Sequence, residues 1–205
     1  MNRNRNRLVI VGIFVLFLVP LLAAITLERA GYEPENTVNR GLLVDPPVPL
    51  PLAERVLLDG QAAAEQTRGR WTLLHLIRQA GCDASCQARV TELRQVHIAA
   101  GRYQNEVQVL LVSEVPDEAL LSGIYERFLM LANPAAAREP EVALLDTAIT
   151  AAAARSGAAT DNWSALDGTT FIVDPEGNLM LRYAPGYNPS DLNKDLKKLL
   201  KWSGR

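Results

Sequence analysis

From Leu8 to Leu27 the chain runs LVIVGIFVLFLVPLLAAITL, twenty residues without a charge. At about 1.5 Å of rise per helical residue, such a stretch covers about 30 Å, the hydrocarbon thickness of a bilayer. It has no polar face to turn toward water, so it does not suit the surface of a globular domain. Pro20 falls inside it, and spanning helices tolerate a proline better than soluble ones do. Arg3, Arg5 and Arg7 precede the run without an acid, while Glu28, Arg29, Glu33 and Glu35 follow it. The arginine excess ahead of the run predicts a cytoplasmic N-terminus and an exported remainder. A cleaved signal peptide would carry an apolar region of about 7–15 residues and a small-x-small cleavage site. Here the run is longer and ends in Ile25-Thr26-Leu27. The expectation is therefore a basic cytoplasmic tip at residues 1–7 and one uncleaved transmembrane anchor at 8–27.

The exported part, about 175 residues, is enough for one domain with a real core. The hydrophobic fraction of 48% is raised by the anchor. A net charge of −2, with no basic cluster beyond the N-terminal tip, argues against nucleic acid as a partner. Pro34, Pro46, Pro47, Pro49 and Pro51 crowd residues 28–51. They remove backbone donors and favour extended polyproline geometry, so this stretch reads as a tether reaching at most about 70 Å. A domain over residues 52–205 is expected to follow.

Within that domain, ERVLLDG (residues 54–60) suggests a short strand turning at Asp59-Gly60. WTLLHLI (Trp71 to Ile77) and VQVLLVS (Val107 to Ser113) have the length and apolar continuity of strands buried on both faces. Between them, residues 83–100 carry an apolar stripe of Ala88, Val90, Leu93, Val96 and Ala100, with Gly101 as a natural stop. Residues 117–132 read as another helix, with Leu120, Leu121, Ile124, Phe128 and Leu131 on one side and Asn133-Pro134 ending it. An alanine-rich helix is expected over Glu141 to Arg155. TTFIVD and LMLRYA flank Pro175-Glu176-Gly177-Asn178 and predict a hairpin. The chain closes with a helix for which Ser190 is the expected N-cap. Two strands joined through a helix run parallel, and the hairpin adds antiparallel ones. The expected fold class is α/β, a thioredoxin-like mixed sheet flanked by helices.

The chain has two cysteines, and both fall in CDASC, Cys82 to Cys86, where the first core strand gives way to the first helix. In an exported domain a disulfide can form. Cysteines four apart at a helix start lie on one face, close enough to bridge or to share a metal. A helix N-terminus stabilises a thiolate, which makes Cys82 the nucleophile in a catalytic reading of the Cys82, Cys86 pair. Two soft thiolates with nothing harder nearby favour Cu(I) over zinc, which usually wants four ligands. The plainer alternative is a structural disulfide closing a small loop.

These residues resemble the Sco/SenC-type proteins of cytochrome oxidase assembly, membrane-anchored and thioredoxin-like. The N-terminal anchor, RGRWTLLHLI ahead of the CxxxC pair, and FIVDPEGNLMLRY carry the resemblance. A less studied bacterial branch is closer still, through Asn39-Arg40-Gly41 to Pro51, GCDASC followed by TELRQV, and the DLKKLLK ending. The resemblance spans roughly residues 37–202 and implies copper as cofactor or cargo, with Cys82 and Cys86 as its ligands. It also implies a bacterial inner-membrane location with the C-terminal domain in the periplasm, and a partner that is a membrane-embedded oxidase subunit or another assembly factor. One departure matters. Sco-type copper carriers complete their site with a histidine just before the late hairpin, and Asn162 to Gly168 contains none. Thioredoxins place a cis-proline there, and Gly168-Thr169-Thr170 offers none either.

The remaining candidates are weaker. His75, mid-strand, reads as a buried neutral histidine held by a hydrogen bond rather than as a ligand. His97, about three helical turns past Cys86, reads as a helix-face residue. Met130 and Met180 read as core rather than copper ligands. Asp161, Trp163 and Asp167 lie on the loop that faces the cysteines in this fold. Three functions remain open: copper handling in oxidase assembly, thiol–disulfide exchange in the same pathway, and a non-catalytic binding module with a stapled loop.

Overall fold

Seven residues in a row, WTLLHLI, leave a strand no wet face, and all seven are buried as β2 (Trp71–Ile77). VQVLLVS does the same as β3 (Val107–Ser113), which pairs parallel with β2 from Trp71↔Val107 to Ile77↔Ser113. The short helix α2 (Ala63–Thr67) precedes β2, and the helix between the two strands, α3 (Ala84–Ala99), supplies the crossover that a parallel pair requires. The computed structural model describes residues 3–29, 39–77, 82–115, 128–132, 140–158 and 163–203. Among these, six strands form one sheet in the order β1-β6-β5-β2-β3-β4. The others are β1 (Leu42–Pro49), β4 (Phe128–Ala132), β5 (Thr170–Val173) and β6 (Asn178–Tyr183). The hairpin expectation holds: β5 and β6 pair antiparallel, and β5 also runs antiparallel to β2. In its turn, Asp174 Oδ1 accepts the Asn178 amide at 2.7 Å, and Gly177 takes φ +92°, which a side chain would strain.

The two faces of the sheet are covered by different helices. Even-numbered β2 residues Leu74 and Leu76 join Leu110, Val112, Phe171 and Leu179 under α4 (Pro140–Arg155), whose Leu145, Ile149, Ala152 and Ala153 are buried there. Odd-numbered Leu73 and Ile77 join Val109, Leu111, Ile172 and Leu181 on the other face. That face is covered by Val90, Leu93 and Val96 of α3 and by Leu192, Leu196 and Leu200 of α5 (Pro189–Ser203). The period-two alternation of the strands thus feeds two separate cores.

Four expectations change. The Pro-rich stretch read as tether contains β1, which pairs antiparallel with β6 (Leu42↔Arg182, Pro49↔Asn178), so the compact unit begins at Asn39 rather than at residue 52. Prolines are tolerated because β1 is an edge strand, and its ladder breaks register between Leu43 and Val48. The Asp45-Pro46 peptide is cis. Phe128 to Leu131, read as the end of a helix, form strand β4, parallel to β3 with Val109↔Phe128 through Ser113↔Ala132. A short apolar run cannot be assigned by periodicity alone, and pairing with β3 decides it; residues 117–127 lie outside the described residues. Ser190 is not the cap of α5: Asn188 Oδ1 accepts the Ser190 amide at 2.9 Å, with Pro189 in the first helical position. Residues 54–60 form no full strand, only an isolated bridge, Val56↔Ala62, around the Asp59-Gly60 turn.

The second unit, Met1–Val38, is described by one helix, α1 (Arg3–Arg29), which carries Pro20 within it. From Ile13 to Leu22 its large apolar side chains are exposed. Among the described residues no helix is long and apolar enough to cross a membrane.

Candidate functional site

Cys82 and Cys86 are joined in a disulfide, their Cα atoms 5.2 Å apart. The bridge closes at the start of α3, where local chemistry sets the geometry. Asp83 is the N-cap, and its Oδ1 accepts the Cys86 amide at 2.9 Å and the Ser85 hydroxyl at 2.7 Å. These bonds, the Cys86 amide first, hold the Asp83 carboxyl below its usual range. Gln87 Nε2 reaches back to the Cys82 carbonyl at 3.1 Å. A helix N-terminus was expected to stabilise a Cys82 thiolate. In the folded chain the first-turn amide is already taken by the Asp83 carboxylate.

Behind the bridge lies a cavity of about 300 Å³. Asp83, Ser85, Cys86 and Arg89 line it from the start of α3, His75 to Ile77 from the end of β2, Asp167 and Gly168 from the loop before β5, and Pro185 and Gly186 from the turn before α5. Parallel pairing of β2 with β3, and antiparallel pairing with β5, bring these separate stretches to one end of the sheet. Asp167, on the loop expected to face the cysteines, lines the same cavity as Cys86. The side chain of Trp163 and all of Asp161 lie outside what the structure describes.

His75 is buried, with Nδ1 2.9 Å from Thr170 Oγ1. Burial, and then the nearby Arg89 charge, lower its pKa to about 3, against a smaller opposing pull from the Thr169 backbone. It is neutral at any physiological pH, which matches the sequence reading. Thr170 Oγ1 in turn donates to Tyr187 Oη at 3.1 Å. Arg89 stands one turn beyond Cys86 and is held from three sides. Its Nη1 is 2.6 Å from Glu92 Oε2 and donates to the Tyr187 carbonyl at 3.2 Å, and its guanidinium lies 4.4 Å over the Tyr187 ring. Burial raises the Tyr187 pKa, with Arg89 pulling the other way. Sequence reasoning missed Arg89 and Tyr187. The i, i+3 spacing from Cys86 points to the first, whereas only the fold brings the second to Arg89.

The other candidates settle elsewhere. His97 is a helix-face residue as read, on the buried face of α3, with Nε2 3.1 Å from the Val107 carbonyl and its ring edge-on to Phe128. Met130 is core and Met180 is partly buried against the same cluster. Among the described residues no group of three or more His, Cys, Asp or Glu side chains is gathered that could hold a metal. The two sulfurs are bonded to each other rather than presented as thiolates, and His75 is tied to Thr170.

A family model described as "Transmembrane-like, thioredoxin-like, C-terminal domain" matches residues 71–203. No curated protein matches the sequence. Among solved structures, yeast Sco1 superposes with a TM-score of 0.53 at 13% identity, covering 78% of this chain and 95% of that one. A SCO1/SenC family lipoprotein from Bacillus anthracis gives 0.50 at 16% identity, covering 76% and 98%. ScoI from Arabidopsis thaliana with copper bound gives 0.50 at 16%, covering 76% and 97%. At these identities the likeness is one of fold: the domain has a Sco-like thioredoxin fold.

Proposed function

Because the chain belongs to the transmembrane-like, thioredoxin-like C-terminal domain family, we propose that it is a membrane-anchored thiol–disulfide factor in cytochrome c oxidase biogenesis. The observation that carries this reading is the Cys82–Cys86 bridge at the rim of a cavity that also holds Arg89 and neutral His75. A plain structural staple needs no such cavity beside it. In one direction, a partner thiolate attacks Cys82 Sγ. The partner–Cys82 bond forms, the Cys82–Cys86 bond breaks, and Cys86 leaves as a thiolate. A second partner thiolate then attacks the partner's own bridged sulfur and releases Cys82, so two electrons pass from the partner's dithiol to this pair. In reverse, the reduced pair reduces a partner disulfide, with Cys82 attacking and Cys86 resolving. The reverse direction would keep a partner's copper-site cysteines reduced.

On this reading the protein is held in a bacterial inner membrane by the uncharged run 8–27 as a single-pass anchor, with the N-terminus in the cytoplasm and the domain that carries the site in the periplasm. The uncharged run 8–27, its arginine-rich lead and the exposed apolar side chains of α1 support it. The partner is a membrane-embedded oxidase subunit or a second assembly factor. Replacing Cys82 and Cys86 by serine in the host is the test. Oxidase activity falls and is restored by an added small thiol. Restoration by added copper alone would favour Cu(I) delivery through the opened pair, and unchanged activity would leave only the binding-module alternative.

A further inference from the structure

When the bridge opens, one sulfur must carry the negative charge, and the walls of the cavity are not neutral. Of its described lining residues, Asp83 and Asp167 are carboxylates, His75 is neutral, and Arg89 is the one cation. Residues three apart on a helix are neighbours, which puts the Arg89 stem beside Cys86. Cys82 lies outside the helix and does not line the cavity.

We propose that Arg89 is a positioning residue for the exchange: its guanidinium draws the developing charge onto Cys86 and so makes Cys82 the sulfur that a partner attacks. The inference rests on the reading that a thiolate opens this bridge, and it adds which bond end departs and why. Arg89 is suited to the role because it is fixed. Its side chain is 17% exposed and pinned by the Tyr187 ring and carbonyl, so its charge is pre-organised rather than recruited from solvent. Glu92 partly offsets it: its Oε2, a buried atom on a side chain 42% exposed overall, lies 2.6 Å from Arg89 Nη1. The balance still favours the cation toward the interior. The Arg89 charge lowers the pKa of the buried His75, and at Tyr187 it acts more strongly than the Glu92 charge does. A leaving thiolate departs faster the better its charge is stabilised.

The full chain in detergent, oxidised at the pair, is opened with dithiothreitol, and the rate is followed for three variants. Arg89→Met keeps the apolar stem over Tyr187 and slows opening roughly tenfold, as expected for loss of a nearby charge partly screened by water. Arg89→Lys restores most of the rate. Glu92→Gln removes the offsetting carboxylate and speeds opening a few-fold, an opposite sign that loosened packing would not give. Glutathione, used as a monothiol probe and trapped with acid, is found on Cys82 by peptide mass mapping. The proposal is overturned if Arg89→Met opens at the parent rate, if Glu92→Gln slows opening, or if glutathione is found on Cys86. The cysteine requirement for oxidase activity in cells is a separate reading, so either result can fail while the other stands.

Discussion

His75 ties the stability of the domain to pH. Its pKa is about 3 in the fold against 6.5 when free, so between those values the unfolded chain binds the proton and the folded chain does not. The stabilisation is complete above pH 6.5 and is lost as pH falls toward 3, at roughly 1.4 kcal/mol per unit. At pH 5 the loss is about 2 kcal/mol. Denaturant unfolding at pH 7 and pH 5 checks this, and His75→Gln flattens the difference if His75 is its source. Asp195 and Gly41 form a second buried unit. Asp195 Oδ2 accepts the Arg40 amide at 2.7 Å, the Gly41 amide at 2.9 Å and the Tyr183 hydroxyl at 2.8 Å. A Cβ on Gly41 would stand 2.6 Å from the Tyr183 ring. Asp195→Ala is expected to cost roughly 3 kcal/mol by stranding those donors, and Gly41→Ala about 1–3 kcal/mol by overpacking. Melting temperature reads both. The cysteines, the neutral His75 and the placing of Asp167 were legible in the sequence because each follows from local spacing or position in a core strand. Tyr187 and Asp195 were not, because the contacts that tie them to Arg89 and to Arg40 span 98 and 155 residues of chain.

At the scale of elements, the strands with unbroken apolar runs were legible, since seven buried residues admit few alternatives. The two misread strands share one cause: both lie at sheet edges. Both β1 and β4 are edge strands, and each carries a sequence that reads as something else when taken alone. Prolines disguised β1 as tether, and an apolar run continuous with a helical pattern disguised β4. Hydrogen bonding to a neighbouring strand decides such segments, and that partner is not written locally. The boundary has a direct check. A chain starting at residue 39 is expected to unfold cooperatively, because β1 covers the β6 edge and adds Val44 and Val48 to the core beneath α4. A chain starting at residue 52, the boundary read from the sequence, loses that cover along with the Asp195 contacts. It is expected to melt well below the longer one.

Across the whole molecule, the uncharged run that opens the sequence and the disulfide that closes the site belong to two separate compact units. The first is read as an anchor and the second as a thiol–disulfide couple working in an exported compartment. An exported compartment alone would also oxidise an idle pair, so the presence of the bridge does not separate a working couple from a staple. Its reduction potential does. The full chain, equilibrated in glutathione buffers of graded composition and scored for free Cys82 and Cys86, is expected to titrate above about −300 mV, where thiol–disulfide exchange proteins operate. A potential below about −300 mV, in the range of structural disulfides, would contradict the account.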